Sequence, residues 1–171
     1  MRIELDKLEE TGGQFAHAYE PEELVLDDEH VRLTRWPEIS GSASRSGQQV
    51  RLRGRITARA EVDCDRCLKS VDVPVEADFD VTYVPATDYG AGPEAAELQE
   101  DDLGLSVFDG ESIDVDELVR EQVLLTLPTR ALCGEDCKGL CPVCGEDRNQ
   151  EACACQPTEV DPRWAALKDL R

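Results

Sequence analysis

The sequence predicts an α+β chain: a β-rich antiparallel body, one amphipathic helix and a C-terminal Cys-rich module. Three observations predict it. Residues 49–62 alternate strictly between apolar and polar side chains, the period of a half-buried strand. Residues 114–128 carry a cap, an apolar stripe of helical period and a stopping proline. Six of the eight cysteines crowd into residues 133–155. The expected division is a body over 1–128, with an acidic loop at about 85–112 and the helix at about 115–127. A module over 129–171 follows and ends in a short helix.

In chain order, residues 1–12 alternate weakly through Ile3, Leu5 and Leu8 and read as a strand and turn. Residues 15–26 are interrupted by Pro21 and show no clear period. Val31, Leu33 and Ile39 lie about Trp36-Pro37, and residues 40–44 read as small, extended chain before a turn at Ser46-Gly47-Gln48. The clearest strand follows. Val50, Leu52, Gly54, Ile56, Ala58, Ala60 and Val62 share one face; Arg51, Arg53, Arg55, Thr57, Arg59 and Glu61 share the other. It runs into Cys64-Asp65-Arg66-Cys67, and a second alternating run, 68–84, follows, so the C-x-x-C sits at a hairpin turn. Residues 85–112 are punctuated by Pro and Gly and strongly acidic, with a short strand at Leu105, Val107 and Phe108. Asp114 caps a helix, Glu117 stands at the capping-box position, and Leu118, Val119, Gln122, Val123 and Leu125 form its stripe until Pro128. Asp161-Pro162 opens the last helix, with Trp164, Leu167 and Leu170 on one side.

Leu, Ile, Val and Phe number only 40 of 171 residues, so something besides an apolar core is expected to hold the fold. The cysteines are the candidates. No run of about 18 apolar residues implies a membrane span, and the first residues lack the apolar stretch of a secretion signal. The expected compartment is therefore cytoplasmic and reducing, where eight thiols point to metal rather than disulfides. The spacing is C-x2-C, then C-x3-C-x3-C-x2-C-x8-C-x-C. Structural zinc takes four thiolates, so Cys64, Cys67, Cys133, Cys137, Cys141, Cys144, Cys153 and Cys155 supply two zinc ions per chain. The favoured split joins Cys141 and Cys144 to Cys153 and Cys155, leaving Cys64 and Cys67 with Cys133 and Cys137. The rival split puts Cys133, Cys137, Cys141 and Cys144 on one ion. A thiol-redox role for Cys64 and Cys67 is the alternative, but a redox C-x-x-C opens a helix and this one is flanked by strands.

The parts resemble the YceD family, also called DUF177. The resemblance rests on Cys64-Asp65-Arg66-Cys67-Leu68, the acidic stretch and a helix ending Leu127-Pro128. It continues through Cys137-Lys138-Gly139-Leu140-Cys141-Pro142-Val143-Cys144-Gly145, Cys153-Ala154-Cys155 and Asp161-Pro162-Arg163-Trp164-Ala165-Ala166-Leu167. It spans roughly residues 30–171. It implies a role in large-subunit (23S) rRNA accumulation, hence ribosome biogenesis, and no catalytic activity. Some members of the family lack the last four cysteines and place histidines where Cys133 and Cys137 stand, which favours the first split. Asp147-Arg148-Asn149 departs from an expected Asn-x-Asn and matches only at Asn149.

The formal net charge is −20, against a uniform nucleic-acid coat. Residues 31–60 nevertheless carry +6 and the other 141 residues −26. Arg51, Arg53, Arg55 and Arg59 form a stripe on one strand face, at a spacing of about 7 Å per two residues that suits neighbouring phosphates. Two kinds of partner are expected: rRNA or a pre-50S particle through this stripe, or a basic ribosomal protein on the acidic remainder. An rRNA-processing enzyme is the further alternative, but the acids show no hydrolase spacing. His17 and His30 read as surface residues.

Overall fold

The computed structural model describes residues 1–8, 12–87, 104–151, 153–155 and 163. The chain forms two compact units, Met1–Val62 with Asp72–Thr129, and Asp63–Val71 with Arg130–Arg171. The predicted C-terminal helix at Asp161-Pro162 and most of the acidic loop lie outside the described residues.

The first unit is built on a five-stranded sheet of order β2-β3-β4-β5-β6: β2 Gly13–Ala18, β3 Val31–Ser46, β4 Gln49–Asp63, β5 Ser70–Pro85 and β6 Leu105–Phe108. A second sheet pairs β1 (Arg2–Glu4) with β7 (Ser112–Asp114), and β7 leads directly into α1 (Val115–Thr126). Alternation decides which face of the large sheet is buried. Val50, Leu52, Ile56, Ala58 and Ala60 of β4 are buried, as are Val75, Ala77 and Phe79 of β5. They join one core with Val115, Leu118, Val119 and Val123 of α1. Gly41 of β3 pairs with Gly54 of β4. A Cβ on Gly54 would stand 2.2 Å from the Ser40 carbonyl oxygen and 2.8 Å from the Phe79 ring. Only glycine lets the strands and that ring meet there.

Four features differ from the sequence expectation. The sheet is not wholly antiparallel: β6 pairs with β5 in parallel, with Thr82 opposite Leu105. The chain between them is long enough for the crossover that parallel pairing requires. Residues 13–18 form β2, antiparallel to β3, although their own pattern is weak. Ladder hydrogen bonds to a long neighbour compensate for that weakness. The β3–β4 register shifts between Leu33 and Glu38, around Pro37, whose missing N–H cannot join a ladder. Its carbonyl instead accepts from the Tyr19 amide at 2.9 Å. Finally, Leu125 is 70% exposed while Val115 is fully buried, so the apolar stripe of α1 starts a turn earlier than expected.

The cap is as expected at Asp114, whose side chain accepts from the Asp116 amide at 3.0 Å. Asp116 in turn accepts from the Tyr19 hydroxyl at 2.6 Å and from the Met1 ammonium group. Among the described residues no helix is long and apolar enough to cross a membrane.

Candidate metal centres

The β4–β5 turn, Cys64-Asp65-Arg66-Cys67-Leu68-Lys69, closes on itself through backbone hydrogen bonds. The Cys64 amide donates to the Lys69 carbonyl at 2.8 Å and the Leu68 amide to the Cys64 carbonyl at 2.9 Å. Closing it holds Leu68 at φ 58, a conformation that costs a non-glycine residue about 1–2 kcal/mol. Asp65 docks the segment after α1: its amide donates to the Ala131 carbonyl at 2.9 Å, and its carboxylate accepts from the Ala131 amide at 2.8 Å. The Arg66 guanidinium donates to the Cys137 carbonyl at 2.7 Å, and the Arg66 carbonyl accepts from Leu140 at 2.8 Å. Gly139, at φ 70, makes that approach possible, because a Cβ there would lie 2.8 Å from the Arg66 carbonyl oxygen.

These contacts gather Cys64, Cys67, Cys133 and Cys137 so that their sulfurs all lie within 4.8 Å of one another. Cys141, Cys144, Cys153 and Cys155 are gathered to the same tolerance. The grouping is the first of the two splits that spacing allowed. Sγ–Sγ distances of 3.9 Å (Cys64 to Cys137) and 3.5 Å (Cys67 to Cys133) far exceed a disulfide bond of about 2.05 Å. They bracket the edge of about 3.8 Å that a tetrahedron with Zn–S of about 2.3 Å would have.

The donor chemistry fits a dication. In the first cluster, burial pushes the Cys64 thiol up, but N–H groups of Arg66, Cys133 and Cys67 outweigh it and bring the thiol down to about 6. Cys133, facing Cys67 and Cys137, is pushed up to about 12. In the second, amides of Cys144 and Val143 bring Cys141 down to about 6, while Cys155, beside Cys144, rises to about 12. Four crowded thiols cannot all ionise until a cation offsets their mutual repulsion. The clusters differ in access. Cys64, Cys67 and Cys137 are buried, under Val71, Leu132 and Leu140. In the second, only Cys141 is buried, and Cys144 and Cys155 are exposed.

The loop between Cys144 and Cys153 holds side chains that spacing did not reveal as participants. Asn149 Nδ2 lies 3.4 Å from Cys137 Sγ, and Asn149 Oδ1 accepts from the Lys138 amide at 2.8 Å. Asp147 takes the Asn149 amide at 2.9 Å and the Lys69 ammonium at 3.2 Å. Those bonds hold its carboxyl far below the usual carboxylate range, the Asn149 amide most strongly. The available signals were a pair of Asx side chains inside a ligand loop and the match of Asn149 to the Asn-x-Asn that the family resemblance led one to expect.

The arginine stripe is exposed, but each member meets a carboxylate. Arg51 binds Asp80 through two bonds of 2.6 and 2.7 Å, and Arg53 reaches the same carboxylate at 3.0 Å. Arg55 binds Asp78 at 2.7 and 3.0 Å, and Arg59 binds Asp72 at 3.3 and 2.5 Å. These hydrogen bonds raise Arg51, Arg55 and Arg59 above their ordinary range and lower Asp78 and Asp80 below theirs. The countercharge comes from outward positions of β5. The acids at 72, 78 and 80 alternate with apolar residues, and strand pairing sets them beside the arginines of β4.

The family model described as "Large ribosomal RNA subunit accumulation protein YceD" matches residues 52–171. An uncharacterized protein of Mycobacterium tuberculosis is 33% identical over 151 residues, 86% of this chain and 66% of that protein; this chain thus spans just under two thirds of that relative's length. The uncharacterized protein YlbN of Bacillus subtilis is 25% identical over 98% of this chain and 92% of its own. A chloroplastic protein of Arabidopsis thaliana, named as a large ribosomal RNA subunit accumulation protein YCED homolog, is 26% identical over 78% of this chain and 48% of its own. No solved structure matches the chain significantly.

Proposed function

The chain belongs to the YceD family, and from that premise we propose that it is a non-enzymatic, zinc-stabilised ribosome-biogenesis factor. In this reading it acts in the cytoplasm and supports accumulation of large-subunit (23S) rRNA by holding a basic ribosomal protein. The family match carries the process. Two four-thiolate sets support structural zinc, since four protein ligands leave no open position for substrate or water. A redox role for Cys64 and Cys67 has less support: their sulfurs face Cys133 and Cys137, and the motif joins two strands rather than opening a helix.

The observation that carries the choice of partner is the pairing of the arginine ladder. Each guanidinium of β4 already bonds a carboxylate, so a phosphate would have to displace a bonded acid. The chain's −20 remains, and two zinc ions on eight thiolates take it to −24. Such a surface attracts a basic chain and steers its approach. The test is recovery on the immobilised zinc-loaded chain at low salt. Basic ribosomal proteins are expected to bind and to elute as salt rises; a column that retains none of them overturns the partner.

A second reading has one observation in its favour. Arg51 and Arg53 share Asp80, leaving one guanidinium in excess at that end of the ladder. Through it the chain would contact rRNA or a pre-50S particle directly. An RNA mobility shift abolished by Arg51→Glu with Arg53→Glu supports that contact, and a shift those changes leave intact removes it.

A further inference from the structure

We infer that the two four-cysteine clusters bind metal cooperatively and that Asn149 is the residue coupling them. The inference rests on the zinc reading above and goes beyond it.

Asn149 belongs by sequence to the second cluster, in the loop between its ligands Cys144 and Cys153. By contact it serves the first. Its Nδ2 points at Cys137 Sγ at 3.4 Å, and its Oδ1 holds the next amide, Lys138, at 2.8 Å. An N–H aimed at a ligand sulfur is an outer-shell hydrogen bond that orients it and holds it in place for the metal. The rest of the loop is fitted to the knuckles of the first cluster. The Arg148 amide donates to the Gly139 carbonyl at 3.0 Å, and Leu140 bridges Asp147. The Asp147 carboxylate meets Lys69, two residues after Cys67, at 3.2 Å. Within the loop, the same carboxylate accepts from the Asn149 Nδ2 at 2.7 Å and from the Gln150 side chain at 3.0 Å, which fixes the direction in which Asn149 points.

A metal on Cys141, Cys144, Cys153 and Cys155 ties both ends of this loop and supplies the ordering that Asn149 needs to reach Cys137. Metal in the first cluster, by fixing Cys137 Sγ where Asn149 Nδ2 meets it, stabilises the same loop conformation. Linkage makes the two effects equal: each metal raises the affinity of the other cluster by one common factor. Groups of this kind around metal ligands are worth about 10–100-fold in affinity, which is the expected factor.

The experiment uses the full chain and Zn2+ in competition with a chelator of known affinity, with Co2+ loading to identify thiolate-bound metal from its charge-transfer band. Cys144→Ser with Cys155→Ser disables the second cluster. First-cluster affinity is expected to fall about 10–100-fold in that variant. Asn149→Ala should produce a fall of the same size in the otherwise intact chain, and little further fall in the disabled one. Asn149→Asp keeps the acceptor for Lys138 but places a carboxylate against the thiolate, so it should bind at least as weakly as Asn149→Ala. Equal first-cluster affinity with and without the second cluster overturns the coupling. So does Asn149→Asp binding like the unmodified chain. If the disabled variant does not fold, the reciprocal arm decides: in a Cys64→Ser/Cys67→Ser chain, second-cluster affinity must fall by the same factor. A chain that takes up no Zn2+ or Co2+ overturns the zinc reading itself, an outcome distinct from two ions bound independently.

Discussion

The two clusters close chain loops of very different length, and that difference predicts which one matters more to the fold. Cys67 and Cys133 are 66 residues apart; Cys144 and Cys153 are nine apart. A metal that holds both ends of a loop removes closure entropy from the unfolded chain in proportion to the logarithm of loop length. The ratio of the two spans is worth about 1.8 kcal/mol in favour of the first cluster. Coupling between the clusters cancels from the comparison, because losing either metal forfeits it equally. Burial adds in the same direction, since a serine replacing the fully buried Cys64 leaves a hydroxyl out of water. The perturbations are Cys64→Ser/Cys67→Ser and Cys153→Ser/Cys155→Ser. The reporter is hydrogen exchange at the Leu140 amide, which bonds the Arg66 carbonyl and lies between Cys137 of one cluster and Cys141 of the other. Metal analysis should find two zinc ions in the unmodified chain and one in each variant. Leu140 should exchange at least about 20-fold faster in the first variant than in the second, the equivalent of 1.8 kcal/mol. Equal protection in the two, each retaining one zinc, would refute the reasoning.

Three other expectations follow from the same geometry. Gly139→Ala forces a side chain into a φ of 70 and against the Arg66 carbonyl oxygen, so first-cluster zinc should be lost at chelator concentrations the unmodified chain withstands, with a cost of about 2–3 kcal/mol. Asp78 and Asp80 are lowered by hydrogen bonds from Arg55 and Arg51, so the ladder's contribution is complete above the ordinary aspartate value of about 3.9 and is lost as pH falls through the depressed values. In urea titrations, an Arg51→Gln/Arg55→Gln chain should therefore be less stable than the unmodified one at pH 7, and the gap should close below about pH 3.9. On α1, Val123→Ala should cost about 2 kcal/mol in thermal unfolding, whereas Leu125→Ser should change stability by less than about 0.5 kcal/mol.

Much of the architecture was legible because it is written in local periodicity. The alternation of 50–62 and 71–81 specified two strands and their buried faces, and the Cys64-to-Cys67 turn between them followed from connectivity. Asp114 and Pro128 marked the ends of the helix within a residue or two. What misled was also local. Leu125 fits a stripe drawn from sequence alone, but the face a helix buries is chosen by its packing partners, here the sheet together with Leu5, Tyr19 and Leu24. The strand at 13–18 and the parallel pairing of β6 have no local signal, because both depend on a neighbour distant in sequence.

The sequence by itself determined that eight thiols come in short-spaced pairs, that arginines line one strand face, and that charge is unevenly divided along the chain. Spacing within a motif is a covalent property, and one chain carries it whatever the rest does. Two questions were left to the tertiary structure. One was which pairs of cysteines meet: docking through Asp65, Arg66 and Gly139 brings Cys133 and Cys137 to Cys64 and Cys67. The other was whether the arginines are free: strand register sets Asp72, Asp78 and Asp80 opposite them. Both depend on contacts between segments far apart in the chain, made only when backbone hydrogen bonds and burial select one register and one docking among many.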